Sequence, residues 1–250
     1  MRSHTTVCVV VILIASAGCR NTPSPPPLPP DVPRHDWQAK DEALRIIEQR
    51  STPKTIQATC RLKLTDALGR TVVFDGAFAA QDRSLARLQL LKVGQTVLDY
   101  TQTESGRFLW VSPRSRGFQD DAAADVLRTA IRTVLDPMGA EPLHATHTST
   151  RSSELVVEQD CRNLHFDRAT LLLRRIEGRK KNAATGCVFG YSRYGGRTWL
   201  HSVEAWRGPR RILIRFVDVV LNETLPKSAF TPPGRARPLR SPAETTACDH

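Results

Sequence analysis

From Ile56 onward the apolar positions fall on every second residue. Ile56, Ala58, Cys60, Leu62 and Leu64 share one parity, and Gln57, Thr59, Arg61 and Lys63 take the other. Successive side chains of a strand point to opposite faces, so the run predicts a half-exposed antiparallel strand. Gly69, within "DALGR", supplies the turn that folds "TVVFDGAFAA" back beside it. The alternation continues through "SLARLQLLKVG", "QTVLDYTQ" and "GRFLWVS", separated by glycine or polar residues. A meander follows, with Leu88, Leu90, Leu98, Tyr100 and Trp110 expected on its covered face.

Helical periodicity replaces this pattern twice. In "DWQAKDEALRIIEQR", residues 36–50, Trp37, Ala43, Leu44 and Ile47 form one stripe, with Asp36 as N-cap and Pro53 beyond the far end. In residues 118–139 a wider stripe comprises Ala123, Val126, Leu127, Ala130, Ile131, Val134 and Leu135, and Pro137 with Gly139 ends it. Asp120 and Asp121 lie in its first turn, where the helix dipole favours negative charge.

Strand patterns then resume with "SELVVEQ", "LHFDRATLLLRRIEG", "GCVFGYSRY", "TWLHSVEAW" and "RRILIRFVDVVLNE". Gly195-Gly196 marks a hairpin, and Ile212, Ile214 and Phe216 face away from Arg211, Leu213 and Arg215. The expectation is a mainly β fold with helices (α+β), built on a curled antiparallel sheet of about ten strands. A helix lying over the concave face leaves either an apolar ligand cavity or a core filled by the protein's own side chains. The pattern alone is consistent with both.

The two ends read differently. Arg2 and His4 precede an apolar run from Val7 to Ala15, too short to cross a bilayer, so residues 1–18 read as a secretion signal. "SAGC", residues 16–19, resembles the bacterial lipobox with Ser16 where leucine is usual, which makes Cys19 the expected lipidation site. An ordinary signal-peptidase cut at a neighbouring small residue is the alternative. Several acyl chains on Cys19 would anchor the protein stably, since each buried CH₂ contributes about 0.8 kcal/mol. Arg20, where an acidic residue would favour the inner membrane, points to the outer membrane.

Residues 19–34 form the lipidated cysteine and its tether. Seven of the fourteen residues 21–34 are proline, so this stretch makes neither helix nor central strand and extends for about 40 Å at most. The domain spans residues 35–234, and residues 235–250 lack apolar periodicity and read as a disordered tail.

Composition narrows the partners. The chain has 36 basic and 25 acidic residues, which in an exported protein favours anionic envelope polymers or lipid headgroups. No nucleic-acid motif accompanies the charge. Cys60, Cys161, Cys187 and Cys248 remain after the leader and the anchor, in a compartment that permits disulfides, and four cysteines allow three full pairings. Cys161 and Cys187 flank predicted strands, so that link is the first to test. No C-x-x-C pair indicates a metal or redox site. His144, His147, His165 and His201, with Asp160, Asp167 and Asp218, form no H-E-x-x-H or other catalytic spacing, and no G-x-S-x-G occurs. The reading is therefore non-enzymatic, without cofactor or metal.

The segment "LARLQLLKVGQTVLDYTQTESGRFLWV", residues 85–111, resembles one in the LolA/LolB-like lipoprotein-localisation proteins. Gly94, Gln95, Val97, Asp99, Gly106 and Trp110 stand in the matching places. The closing "IRFVDVVLNETLPKSAFTPP" is similar to the family's last strand and its N-x-x-L-P-x-x-x-F-x-x-P signature, here Asn222, Leu225, Pro226, Phe230 and Pro233. The resemblance runs over about residues 36–234.

It implies an unclosed half-barrel of about eleven strands whose apolar concave side is covered by helices and takes acyl chains. Phe230 would plug the open end of the sheet. With Cys19, the chain resembles the receptor lipoproteins of the outer membrane more than the soluble periplasmic carriers. Leu88, Leu90, Leu98, Tyr100, Trp110, Leu127, Ile131, Ile212, Ile214 and Phe216 are the expected ligand-binding residues. The expected partners are the membrane through Cys19, a lipid or acylated protein, and a periplasmic carrier. The alternative is a structural or interaction lipoprotein of the envelope. The family's projecting loop leucine falls near Leu91 or Val93, where "KVG" departs from its sequence.

Overall fold

The alternation at residues 55–65 becomes the long strand β1 (Thr55–Thr65), which buries every second residue from Ile56 to Leu64 and exposes Gln57, Thr59, Arg61 and Lys63. It belongs to a computed structural model that describes residues 23–50, 53–82, 84–113, 131, 134, 147–159, 161–178 and 185–239. β2 (Thr71–Gln81), β3 (Leu85–Lys92), β4 (Gln95–Thr103) and β5 (Gly106–Val111) follow as successive hairpins. A second meander comprises β6 (His147–Thr150), β7 (Glu154–Glu158), β8 (Arg162–Asp167), β9 (Leu173–Gly178), β10 (Thr185–Tyr194), β11 (Arg197–Arg207) and β12 (Arg210–Leu221). β13 (Arg237–Leu239) is the last strand described.

The thirteen strands among the described residues form one antiparallel sheet in the order β13-β5-β4-β3-β2-β1-β12-β11-β10-β9-β8-β7-β6. Its two halves are joined by β1 and β12, paired from Ile56 with Leu221 to Thr65 with Arg211. The edge strands β13 and β6 do not pair with each other, so the sheet is unclosed. Glycine is required at two sites in particular. Gly195 and Gly196 both take positive φ, +53° and +79°, as the tight β10–β11 turn demands. At Gly76 a Cβ would lie 2.7 Å from the carbonyl oxygen of Gln89, so the β2 backbone tolerates no side chain there.

The strand count exceeds the expectation of ten or eleven for physical reasons. β6 is the sequence "HTST", which lies at the sheet edge and has no apolar face to advertise it. β13 comes from the segment read as a disordered tail and pairs Arg237 with Leu109 and Leu239 with Arg107. Within "LHFDRATLLLRRIEG" a tight turn separates β8 from β9, held by Asp167, whose Oδ1 accepts from the backbone N–H groups of Ala169 and Thr170.

Among the described residues there is one α-helix, α1 (Lys40–Glu48), shorter than the predicted 36–50. Its N-cap is Ala39 rather than Asp36, without a side-chain cap, and the Gln38 N–H is instead taken by the Glu42 carboxylate at 3.0 Å. Ala43 and Ile47 are its buried residues, as the stripe predicts. The helix expected at 118–135 lies outside the described residues except for Ile131 and Val134. Those two are helical and buried in the core, on a connection that leaves β5 and re-enters the sheet at the opposite edge.

Two segments lie against the sheet where the sequence suggested free or plugging chain. Val32 in the proline-rich tract is buried, Arg174 donates to the Pro26 carbonyl, and the His35 N–H donates to the Ala169 carbonyl at 2.7 Å. A Cβ on Gly190 would sit 3.0 Å from Pro26 Cγ, so the bare β10 backbone gives that proline room. At the other end, the 3₁₀ turn Lys227–Phe230 packs on β3 and β4 on the face opposite the main core. Phe230 is buried there rather than plugging the open end. Beneath the turn, Arg87 donates from Nη1 to the Ala229 carbonyl at 3.3 Å and from Nη2 to Asp99 at 2.7 Å.

Candidate functional site

The alternation of the strands builds one continuous apolar face. Leu88 and Leu90 from β3, Leu98 and Tyr100 from β4, Ile212, Ile214 and Phe216 from β12, and Ile131 all join a single buried cluster with Ala43 and Ile47 of α1. Register explains the assembly: Leu88 opposes Tyr100, Leu90 opposes Leu98, Leu62 opposes Ile214 and Cys60 opposes Phe216. At the centre, the Phe216 ring lies 5.0 Å from Trp199 and 5.6 Å from Phe78, both tilted, which is a favourable aromatic geometry.

Of the two remaining expected members only Trp110 is described, and it does not join the cluster. Trp110 pairs with Asp99, on the opposite face, and is only partly buried; Leu109, opposite Tyr100, is the inward residue of β5. A large aromatic in a six-residue strand gives no parity of its own, and only the β4–β5 register settles which side it takes. Leu127 lies outside the described residues. The cluster also contains Phe78, Leu155, Phe166, Phe189, Trp199 and Val203. Each stands in an apolar position of a predicted strand, so the signal for them was present.

The matching position Asp99 is a buried anchor. Its carboxylate accepts from Arg87 Nε and Nη2, from Gln89 Nε2 at 2.8 Å and from Thr101 Oγ1 at 3.2 Å. A carboxylate 2 % exposed is tolerable only with its acceptor sites filled in this way.

The two ends of the sheet differ. At the end carrying the β1–β2 and β3–β4 turns, Leu68 and Val93 are the exposed apolar tips, 77 % and 96 % exposed, and Val93 has φ +51°. At the opposite end a pocket of about 450 Å³ is lined by Val32, Pro33, His35, Arg50, Pro53, Leu172, Arg193, Gly196, Arg197, Thr198 and Leu221. A second, of about 500 Å³, opens at the β4–β5 turn, bounded by Glu104, Ser105, Phe108 and Pro238 among others.

The remaining reactive groups are dispersed. His165 is buried on β8 between two carboxylates, Nδ1 at 3.2 Å from Glu154 and Nε2 at 3.4 Å from Glu177, an arrangement that the sequence did not disclose because the three residues lie on three strands. His147 is exposed, and His201 meets the Tyr194 hydroxyl at 3.2 Å. Asp218 accepts from Thr59 Oγ1, while His144 and Asp160 lie outside the described residues. No group of three or more His, Cys, Asp or Glu among the described residues is placed to hold a metal, and no described helix is long and apolar enough to cross a membrane.

The Cys161–Cys187 link is not made. Cys161 is disulfide-bonded, but Cys60 and Cys187 are buried thiols. Proximity along predicted strands misled here, because β9 lies between β8 and β10. Burial, and after it the Asp75 carboxylate, pushes the Cys60 thiol up to about 12. Since the thiolate is the reactive form, Cys60 is expected to resist alkylation by iodoacetamide at about pH 8 in the native protein and to react fully in denaturant. Rapid native-state labelling, mapped by peptide mass spectrometry, would contradict that burial.

No family model matches the chain, and no curated protein matches it by sequence. Solved structures do. A DUF1329 family protein from Desulfovibrio piger superposes with TM-score 0.55 at 9 % identity, over 76 % of this chain and 95 % of that one. A LolA superfamily protein from Nitrosomonas europaea matches with TM-score 0.50 at 10 % identity, over 78 % and 99 %. An outer membrane lipoprotein-sorting protein domain from Vibrio parahaemolyticus matches with TM-score 0.50 at 9 % identity, over 76 % and 94 %. The fold is LolA-like, as the resemblance in residues 85–111 and 214–233 led us to expect.

Proposed function

We propose that this chain is an envelope lipoprotein, tethered through Cys19, that binds acyl chains of lipids or lipoproteins against the apolar face of its open sheet. The observation that carries this reading is that face: large side chains from both halves of an unclosed sheet form one apolar surface continuous with α1. An acyl chain lying there would gain about 0.8 kcal/mol per buried CH₂. The LolA superfamily and lipoprotein-sorting names of the structural neighbours support the same direction. In this reading the sheet is a half-barrel, and what lies over its apolar face, α1 included, moves aside for loading, since a shut face neither takes up nor releases ligand.

The direct test is mass spectrometry of lipids that copurify, without detergent, with a chain of residues 20–250. Bound acyl species in stoichiometric amount are expected; their consistent absence favours a second reading, a structural envelope lipoprotein with a solid core. That reading has its own observation, because Leu88, Leu90, Ile212 and Phe216 are at most 1 % exposed.

The anchor is tested separately. Cys19→Ala is expected to abolish acylation and either release the mature protein from membranes or leave an unprocessed precursor. Wild-type protein that never incorporates labelled fatty acid would defeat the lipoprotein assignment while leaving the binding face untouched.

A further inference from the structure

The pocket at the Leu221 end of the sheet combines positive charge with apolar walls. Arg50, just beyond α1, is half-buried, and among the described residues its guanidinium donates only to two carbonyls, Nη1 to Leu171 at 3.0 Å and Nη2 to Thr170 at 2.8 Å. Neither contact supplies a countercharge. Arg197, at the start of β11, is exposed and has no ion-pair or hydrogen-bond partner through its side chain among the described residues. His35 lines the same space, fixed through its backbone to Ala169. Arg193 is matched by Asp31 at 3.0 Å, and no described residue lining the pocket is acidic.

A guanidinium withdrawn from water without an anion is an unfavourable arrangement, because desolvation is not offset by Coulombic attraction. Burial accordingly lowers the Arg50 pKa from its ordinary value, with Tyr191 opposing. Tyr191 supplies no compensating charge, since burial raises its own pKa and its hydroxyl donates to the Leu173 carbonyl at 2.7 Å. Val32, Pro33, Pro53, Leu172 and Leu221 form the walls, and Leu221 also packs against the main apolar cluster. Charge on one side and aliphatic surface leading to the core on the other match a ligand with an oxyanion head and an apolar stem. Guanidinium forks fit phosphate oxygens bidentately.

We propose that this pocket holds the phosphate ester of an amphiphilic ligand, with Arg50 and Arg197 on the phosphate oxygens and the Leu172–Leu221 wall along the adjoining stem. At about 450 Å³ it accommodates a headgroup and the first methylenes, within the range of small-molecule pockets. The assignment rests on the lipid-binding reading above and adds the class of headgroup.

Isothermal titration at low salt of the residue 20–250 chain with dihexanoylphosphatidic acid, dihexanoylglycerol and glycerol 3-phosphate tests it. Phosphatidic acid is expected to bind, and either removing its phosphate or introducing Arg197→Ala to weaken binding about tenfold or more, the worth of one charge-assisted hydrogen bond. Arg215→Ala, which removes an exposed cation of β12 outside the pocket, should change nothing. Arg50→Gln should weaken binding further, and its thermal midpoint is recorded because Arg50 also holds the 170–171 turn. Unchanged affinity in Arg197→Ala overturns the proposal. Dihexanoylglycerol binding as tightly as phosphatidic acid removes the headgroup site but keeps lipid binding. Glycerol 3-phosphate binding as tightly as phosphatidic acid keeps the anion site and removes the lipid.

Discussion

Asp99→Ala is expected to destabilise the protein by about 3–5 kcal/mol, because it leaves Arg87 as a buried cation stripped of its partner. Asp99 is almost wholly buried, Arg87 is 20 % exposed, and three of the carboxylate's contacts come from the same guanidinium. Gln89 Nε2 and Thr101 Oγ1 lose an acceptor at the same time. Arg87 further ties the 3₁₀ turn Lys227–Phe230 to the outer face, so the loss should spread to the turn and to the β13 segment beyond it. Urea unfolding measures the total, and amide exchange at residues 227–239 locates the loosening. Replacing both charges, as Arg87→Met with Asp99→Leu, should recover most of the loss, since a packed apolar pair avoids the desolvation of two ions. A single-mutant loss below about 1 kcal/mol would mean that the pair behaves as an exposed one.

Phe216→Ala should cost about 3–5 kcal/mol, combining lost transfer energy with the cavity left between Phe78 and Trp199. Phe216→Asp, which places a carboxylate opposite Cys60 in the middle of the core, should prevent stable folding. Phe216→Leu is the informative change, because it keeps an apolar side chain in place and should cost less than the alanine variant. If this face takes acyl chains, the leucine variant is expected to stay folded and lose lipid affinity, read by titration beside thermal unfolding. A destabilised leucine variant, with no ligand bound by it or by the wild type, favours the solid-core reading.

Much of the local architecture was legible in residue order. Strands β1 to β4 and β12 announce themselves by period 2, because a strand with one face in the core must alternate, and Gly195-Gly196 marks the β10–β11 turn because two successive positive φ values are costly for other residues. Ala43 and Ile47 follow from the helical stripe for the same kind of reason. The inward set Leu88, Leu90, Leu98, Tyr100, Ile212, Ile214 and Phe216 could therefore be named in advance. β6 and β13 could not, since edge strands of four and three residues carry no alternation to read.

What the chain alone could not decide depends on which elements meet. The face taken by Trp110 is a matter of the β4–β5 register. The site of Phe230 depends on the path of residues 222–230 back over β3 and β4, and the separation of Cys161 from Cys187 on the strand inserted between them. The cationic pocket draws on the proline-rich tract, the end of α1, the β8–β9 turn, the β10–β11 hairpin and the end of β12, which are spread from residue 32 to residue 221. Periodicity records which way a side chain leaves its own backbone. It carries no information about which distant backbone stands opposite, and that pairing, set by the thirteen-stranded order, is what gathers Arg50, Arg193 and Arg197 at one end of the sheet.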